Sequence, residues 1–570
     1  MSNVNSMFAD DVAILVTKST LEEAQEAAQE AVDIVTEWAK RWKLRLNAGK
    51  SESSFFTTAT NEAKWTPKII IEEETIKHEP TPRLLGVILD RTLQFGPHVD
   101  KVVEKIESRQ KLLRAVANTS WGWRKENLVQ IYSAYINSAI EYSGFAWLSS
   151  VAKTHRERLE VAANKAIRLV TGQYLATPVE ALRLECGLPS FGTQVTRMIA
   201  KAAEKAHRLP ADHPRRLAFE NDQAPRIKKS TWRSKAKELN FQLTNMENRA
   251  PIEHYKFHPW TDAPCLEVYA SLEGVKSRLD DIQVRRASSI RRIQEVNADL
   301  TIYTDGSATG GTRMGGAGVV ITDGNAESPH IIDTIQKKGA LFTCSYEEEV
   351  QAMLEAAAWI EQNCVGQEDI LICTDSLSLC MALDNYNPET DGIRDHLKDH
   401  RGKITIQWIP GHADVPGNDL ADQAAKDAAM ALEETRDISY RSACMMINQT
   451  FKDTTTHQNI KSTYSKYNKE REKQISSRED QVLLARVRSG KHLAFRSYQH
   501  TLDENVSPDC PRCGEEEHTD EHWMCRCPAT LGARRDMFGE EMNCGLSLLT
   551  KYPKEAVSLS RRLLLGEGRQ

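Results

Sequence analysis

Five side chains between residues 305 and 422 have the types that metal-assisted hydrolysis needs. Asp305 closes an apolar run in TDGS, Glu349 lies in SYEEEVQAMLEAAAWI, Asp375 closes a second apolar run in ICTDS, and Asp422 lies in NDLADQAAKDAAMAL. His412 sits in the glycine-bracketed loop PGHADVPGN just before the last of these. Acids at the ends of two strands and on flanking helices can converge at one edge of a sheet. Two hard divalent cations about 4 Å apart, clamping the attacking water and the leaving oxygen of a phosphodiester, call for several such carboxylates. A loop histidine would carry protons or help product leave. Each residue also has an ordinary structural reading. Asp305 before Gly306 suits a turn, Glu349 is one of three consecutive glutamates, Asp375 suits a helix N-cap, and His412 suits a loop.

A second cluster lies in CPRCGEEEHTDEHWMCRCP, where Cys510 and Cys513 are followed by His522 and Cys527. Two close thiolates, then a histidine and a thiolate, form the tetrahedral S/N set of a structural zinc site. Cys525 competes with Cys527 for the last place, and His518 with His522. A third feature is FADD at residues 8–11, where Asp10 and Asp11 between apolar runs suit a tight turn presenting carboxylates.

The elements that must position these groups are legible from periodicity. Residues 298–432 read strand, strand, strand, helix, strand, helix, strand, helix, an α/β order. DLTIYTDGSATGG, GAGVVIT, HIIDTIQKKG, DILICTDS and KITIQWIPGH are the strands. Near the N-terminus, TLEEAQEAAQEAVDIVTEWAKRW carries a capping-box pattern at Thr20 and Glu23 and an apolar stripe from Ala24 to Trp42, a helix expected to end near residues 47–49. SFFTT, KIIIEEETI and RLLGVILD read as strands of a small sheet, and residues 99–207 are helical in pattern. Prolines and scattered charges make 208–297 a connector.

Length alone implies several domains. There is no apolar run long enough to span a membrane and no secretion signal, so an intracellular protein, nuclear or cytoplasmic, is expected. Twelve cysteines, four of them between 510 and 527, favour reduced thiols with one metal cluster over a disulfide framework. The net charge of −6 hides an asymmetry: +7 over residues 1–298, −14 over 299–427 and +1 over 428–570. An acidic block that gathers cations needs basic neighbours to hold a polyanion. The stretch 441–500, with 12 Lys or Arg against 5 acids, and RVRSGKHLAFRSYQH within it, suit phosphate contact.

Taken together, TDGSATGGTRMGGAGVVI, SYEEEVQAMLEAAAWI, ICTDSLSLCMAL and WIPGHADVPGNDLADQAAKDA resemble the ribonuclease H family over about 298–432. The resemblance implies a five-stranded mixed sheet with helices on both faces. It also implies hydrolysis of the RNA strand of RNA–DNA hybrids with two Mg2+ ions (Mn2+ as an alternative), leaving a 5′-phosphate. It would make Asp305, Glu349, Asp375 and Asp422 the metal ligands and His412 the loop histidine. Glu349 is preferred over Glu347 and Glu348 because the family places its acid three residues before a small residue, here Ala352.

VTEWAKRWKLRLNAGKSESSFFTT after FADD, RLLGVILDRTLQFGPHVDKVVEKI, LVQIYSAYINSAIEYSGFAW and the cysteine-rich tail resemble reverse transcriptases of non-LTR (LINE-type, jockey-like) retrotransposons. That resemblance makes Asp10 and Asp11 vestiges of a polymerase metal site and supports Cys527 and His522 as zinc ligands. The fingers and the other catalytic aspartate would precede residue 1, so no polymerisation is expected. The expected organisation is a truncated palm (1–98), a helical thumb-like region (99–207), a connector (208–297), the RNase H domain (298–432), a basic helical linker (433–500) and a zinc-binding tail (501–570). RNA–DNA hybrid, RNA and DNA are the expected partners, without a membrane. The alternatives are a nucleic-acid-binding retroelement remnant without activity, or a fragment of an intact RNA-directed DNA polymerase.

Overall fold

The computed structural model describes residues 4–220, 231–240, 249–252, 266–275, 280–364, 368–385, 387–431, 436–453, 458–467 and 469–566. The described residues fall into two compact units, one drawn from 1–199, 226–235 and 452–570, the other from 200–225 and 236–451.

The second unit carries the acids. Its sheet contains β1 (Leu266–Tyr269), β2 (Leu300–Thr309), β3 (Arg313–Thr322), β4 (Ile331–Lys338), β5 (Ile370–Thr374) and β6 (Ile404–Trp408), ordered β4-β3-β2-β5-β6-β1. β2 is central, antiparallel to β3, with Asp305 opposite Gly318, and parallel to β5, with Thr304 opposite Thr374. Three helices matter for the site: α1 (Ile282–Val296), α2 (Ser345–Asn363) and α3 (Pro416–Met430).

Period-two alternation sends neighbouring side chains to opposite faces. Ile302, Val319 and Ile372 pack with Ala352, Met353 and Ala356 of α2. Tyr303, Val320 and Leu371 pack with Ile290 and Ile293 of α1 and Ala421 of α3. Helix α3 approaches so closely that a Cβ at Gly318 would lie 2.4 Å from the Ala421 carbonyl oxygen, so only glycine allows that crossing.

The expected five strands and their helices are all present, and the sheet has a sixth. β1 joins the edge parallel to β6, and it comes from the stretch expected as connector, as does α1. The segment LEVY is too short to show a period of its own, and pairing with β6 makes it a strand.

In the first unit, Val4–Phe8 and Asp11–Leu15 form a hairpin whose turn residue Ala9 has φ +53°. The expected helix after it runs Leu21–Arg41, with the Thr20 hydroxyl accepting from the Glu23 N–H at 3.3 Å. It ends earlier than expected, because Lys43 takes φ +56°. Ile34, Trp38 and Trp42 on or beside its stripe are exposed, as are Met7 and Phe8. The small sheet expected over 54–90 is replaced by three separate two-residue ladders. Helices including Gly96–Val116, Lys153–Thr171 and Phe191–His207 occupy the next hundred residues as expected. No helix among the described residues is long and apolar enough to cross a membrane.

Candidate active site

Three of the sequence-selected acids meet. Asp305 in β2, Glu349 in the first turns of α2 and Asp375 just beyond β5 each present an oxygen within 4.8 Å of the other two. Asp305 and Glu349 are buried and Asp375 is half-buried. Backbone packing enforces the meeting: a Cβ at Gly306 would sit 2.1 Å from the Glu349 nitrogen, so the strand and helix touch main chain to main chain. A Cβ at Gly411 would lie 2.2 Å from Asp375 Oδ2, so with any larger residue there that carboxylate would have to shift.

The electrostatics are those of buried acids close to one another. Burial, then Asp375 and Asp422, push the Asp305 carboxyl up to about 7. Burial, then Asp305 and Asp375, hold Glu349 well above the ordinary carboxylate range. Glu349 Oε2 is buried with no hydrogen-bond partner among the described residues. Buried like charges without a partner are costly, and an all-oxygen donor set of this kind fits a hard divalent cation.

Asp422, on α3, stands outside the trio while contributing to its field. Its Oδ2 pairs with Lys426 Nζ at 2.5 Å, one turn along the helix. His412 is exposed, with φ +51°, and also stands outside the trio.

The consecutive glutamates have distinct environments. Glu348 is fully buried, accepting from Arg436 NH2 on both oxygens at 2.6 Å and from Thr343 at 2.7 Å. Glu347 accepts from the Ser439 and Ser442 hydroxyls. Only Glu349 of the three joins Asp305 and Asp375.

Several positioning groups were missed from sequence. Arg285 and Arg286 of α1 donate to the carbonyls of Gly411 and Asp414 at 3.1 and 2.9 Å, holding the histidine loop from both sides. Arg436 anchors Glu348 from beyond α3. The signal for α1 was present in DIQVRRASSIRRIQEV, whose Asp281 caps the Gln283 N–H at 2.8 Å. No pattern marks Arg436, whose partner lies 88 residues away.

Residues 297–430 match the RNase H family model. This part of the chain is an RNase H domain. Over 211 residues the chain is 28% identical to the RNA-directed DNA polymerase from mobile element jockey of Drosophila funebris, a match covering 37% of this chain and 22% of that protein. Over 216 residues it is 24% identical to the jockey polymerase of Drosophila melanogaster, again 37% and 22%. A Pol polyprotein from type-1 retrotransposable element R1 of Nasonia vitripennis is 27% identical over 143 residues, 25% of this chain and 35% of that protein. The homologues are thus RNA-directed DNA polymerases and Pol polyproteins of jockey and R1 non-LTR retrotransposons, and the chain spans about a fifth of the jockey proteins' length. Among solved structures, RNase H1 from Halobacterium salinarum aligns at 20% identity and TM-score 0.19 over 23% of this chain and 96% of its own. LC11-RNase H1 in complex with an RNA/DNA hybrid aligns at 19% and 0.20, over 23% and 98%.

The cysteine cluster of the first unit also assembles as expected. Cys510, Cys513, His522 and Cys527 bring one donor each within 4.8 Å of the others. Cys513 Sγ lies 3.3 Å from His522 Nε2, and Glu516 faces His522 Nδ1 at 3.1 Å, the outer partner that orients a ligating imidazole. The Cys3His set is compatible with zinc. Cys525 and His518 stand outside it, and His518 Nδ1 accepts from the Arg496 N–H at 3.4 Å.

Two arginines of the preceding basic stretch are engaged within the first unit. Arg488 is buried against Glu472 at 2.8 Å and Glu185 at 3.0 Å, and Lys125 completes this quartet at 2.5 and 2.7 Å. Arg486 lies 4.1 Å over the Tyr174 ring and donates to the Gly172 carbonyl at 2.9 Å. Periodicity and charge count cannot tell a solvated arginine from one neutralised by a remote glutamate. Asp10 and Asp11 are exposed on their hairpin and gather no third metal-ligating group among the described residues.

Proposed function

We propose that this chain hydrolyses the RNA strand of RNA–DNA hybrids, as part of a retrotransposon reverse transcriptase. The observation that carries this is the convergence of Asp305, Glu349 and Asp375, each presenting a ligand oxygen within 4.8 Å of the others, with burial and neighbouring acids raising Asp305 and Glu349. These three, with Asp422 beside them, would hold Mg2+, or Mn2+ in its place. Divalent cations bound there supply activation of the attacking water and stabilisation of the leaving oxygen.

The chain's own residues do the rest. Asp305 and Glu349 give up the protons that burial favours when a cation binds, which ties affinity to pH. Gly306 keeps Glu349 against β2, and Gly411 leaves the Asp375 carboxylate its place. Arg285 and Arg286 hold the loop on which His412 waits, exposed, to carry a proton at its ring nitrogen. The −14 charge of residues 299–427 favours cations and opposes a polyanion, so grip on the hybrid belongs to residues outside this block. Cys510, Cys513, His522 and Cys527 would hold a structural zinc with no open position. Polymerisation is not assigned to Asp10 and Asp11, which gather no third metal-ligating group among the described residues.

The test is a hybrid labelled on either strand, incubated with Mg2+ and the native chain or Asp305→Asn. Cleavage of the RNA strand by the native chain alone is expected. Cleavage of the DNA strand, or equal cleavage by both proteins, would overturn the proposal.

A further inference from the structure

The loop between helices Gly96–Val116 and Lys125–Ile131 displays two tryptophans to solvent, Trp121 at 54% and Trp123 at 51% exposure. Neither indole has a hydrogen bond or ring contact among the described residues. Exposed indoles are usually the tips of mobile loops, but this loop is fixed at both ends. The Asn118 N–H donates to the Trp121 carbonyl and the Trp123 N–H to the Val116 carbonyl, both at 2.9 Å, closing a narrow hairpin with Ala117 paired to Gly122. Gly122 takes φ +111°, and a Cβ there would lie 2.5 Å from the Val116 oxygen, so this turn is open to glycine alone. Arg478 Nε donates to the Asn118 carbonyl at 3.0 Å. One residue past Arg124, Lys125 is locked in the buried quartet with Glu185, Glu472 and Arg488, its own N–H donating to Gln481 at 2.7 Å. The structure therefore holds two large apolar faces rigidly in water, which packing alone does not explain.

Charge beside the loop indicates what covers them. Lys111 and Arg114, three residues apart on the last turns of the preceding helix, are exposed and unpaired among the described residues. Arg124 follows Trp123 and is also exposed, with one N–H donated to the Lys473 carbonyl at 3.5 Å. The acid nearest in the following helix, Glu126, is engaged by Gln481 at 3.2 Å. Exposed indoles on a loop flanked in sequence by exposed cations match a ligand with exposed planar rings and regularly spaced negative charge. We propose that Trp121 and Trp123 form a stacking platform for the unpaired bases of a single-stranded nucleic acid, with Lys111, Arg114 and Arg124 on its phosphates. A duplex hides its base faces and does not satisfy the indoles. The site is separate from the carboxylate cluster and does not depend on hydrolysis there.

The test is fluorescence anisotropy of the full chain with labelled oligouridine and oligothymidine of about 15 nucleotides, without added Mg2+ and without chelator. Stacking is indifferent to the sugar, so both strands are expected to bind. Trp121→Ala/Trp123→Ala is expected to weaken binding about tenfold or more, and Trp121→Phe/Trp123→Phe, which keeps the rings, to stay within about threefold. Lys111→Gln/Arg114→Gln is expected to lower the salt slope of binding by about 1.4. Native-like binding by the alanine pair, or displacement of the strand as effectively by duplex as by single strand, would overturn the proposal.

Discussion

Replacing Asp305 by Asn should stabilise the second unit while abolishing its chemistry, and the size of the effect follows from the site. The Asp305 carboxyl is pushed from 3.8 up to about 7 by burial, Asp375 and Asp422. An acid whose pKa is raised on folding holds its proton more tightly in the folded state, so stability falls as pH rises from about 4 through about 7. At about 1.4 kcal/mol per unit, the folded state at pH 8 carries up to about 4 kcal/mol of unfavourable ionisation. Asn keeps the shape and removes that charge. Hydrogen exchange at the β2 and β5 amides, comparing variant with native at each pH in metal-free buffer, isolates this unit from a chain whose global unfolding is not a single transition. Protection in the variant should exceed native by up to about 4 kcal/mol at pH 8 and match it at pH 4. Added Mg2+ should then protect the native chain by mass action and leave the variant unchanged. No gain at pH 8, or the same gain at pH 4, would refute the claim that the carboxylates repel one another in a buried cluster.

Other outcomes follow from packing. Gly306→Ala places a methyl group 2.1 Å from the Glu349 nitrogen, so it should separate β2 from α2 and lower hybrid cleavage at least about tenfold, measured as an initial rate. Arg436→Met strands the fully buried Glu348 carboxylate and should cost up to about 3–5 kcal/mol of amide protection in α2, much of it recovered when Glu348→Gln is added. Cys510→Ser should remove bound zinc, read by metal analysis and by loss of protection over 510–530, whereas Cys525→Ser should retain it.

The RNase H domain was legible because four motifs carry its resemblance and because Asp305 and Asp375 close apolar strands while Glu349 and Asp422 lie on helices that pack beside them. Glu349 was preferred over Glu347 and Glu348 by its spacing to Ala352, and tertiary contacts explain the choice: Arg436, Thr343, Ser439 and Ser442 engage the other two. The sixth strand was hidden because four residues at a sheet edge carry no period. The first hundred residues misled for a related reason. KIIIEEETI and RLLGVILD have the composition of strands, yet Glu72, Glu73 and Leu85 take positive φ and cut them into two-residue ladders. Within the basic stretch of 441–500 a charge count could not show that Arg488 is buried against Glu185, three hundred residues away.

The central claim is tested most directly by the initial rate of RNA-strand cleavage across a Mg2+ series, comparing the native chain with Asp305→Asn and Asp375→Asn. The native rate should rise and saturate with Mg2+, and each variant should fall by more than the roughly 10–100-fold that loss of an outer-shell partner costs. A native chain that leaves the hybrid intact at every Mg2+ concentration, or variants that cleave at the native rate, would contradict it.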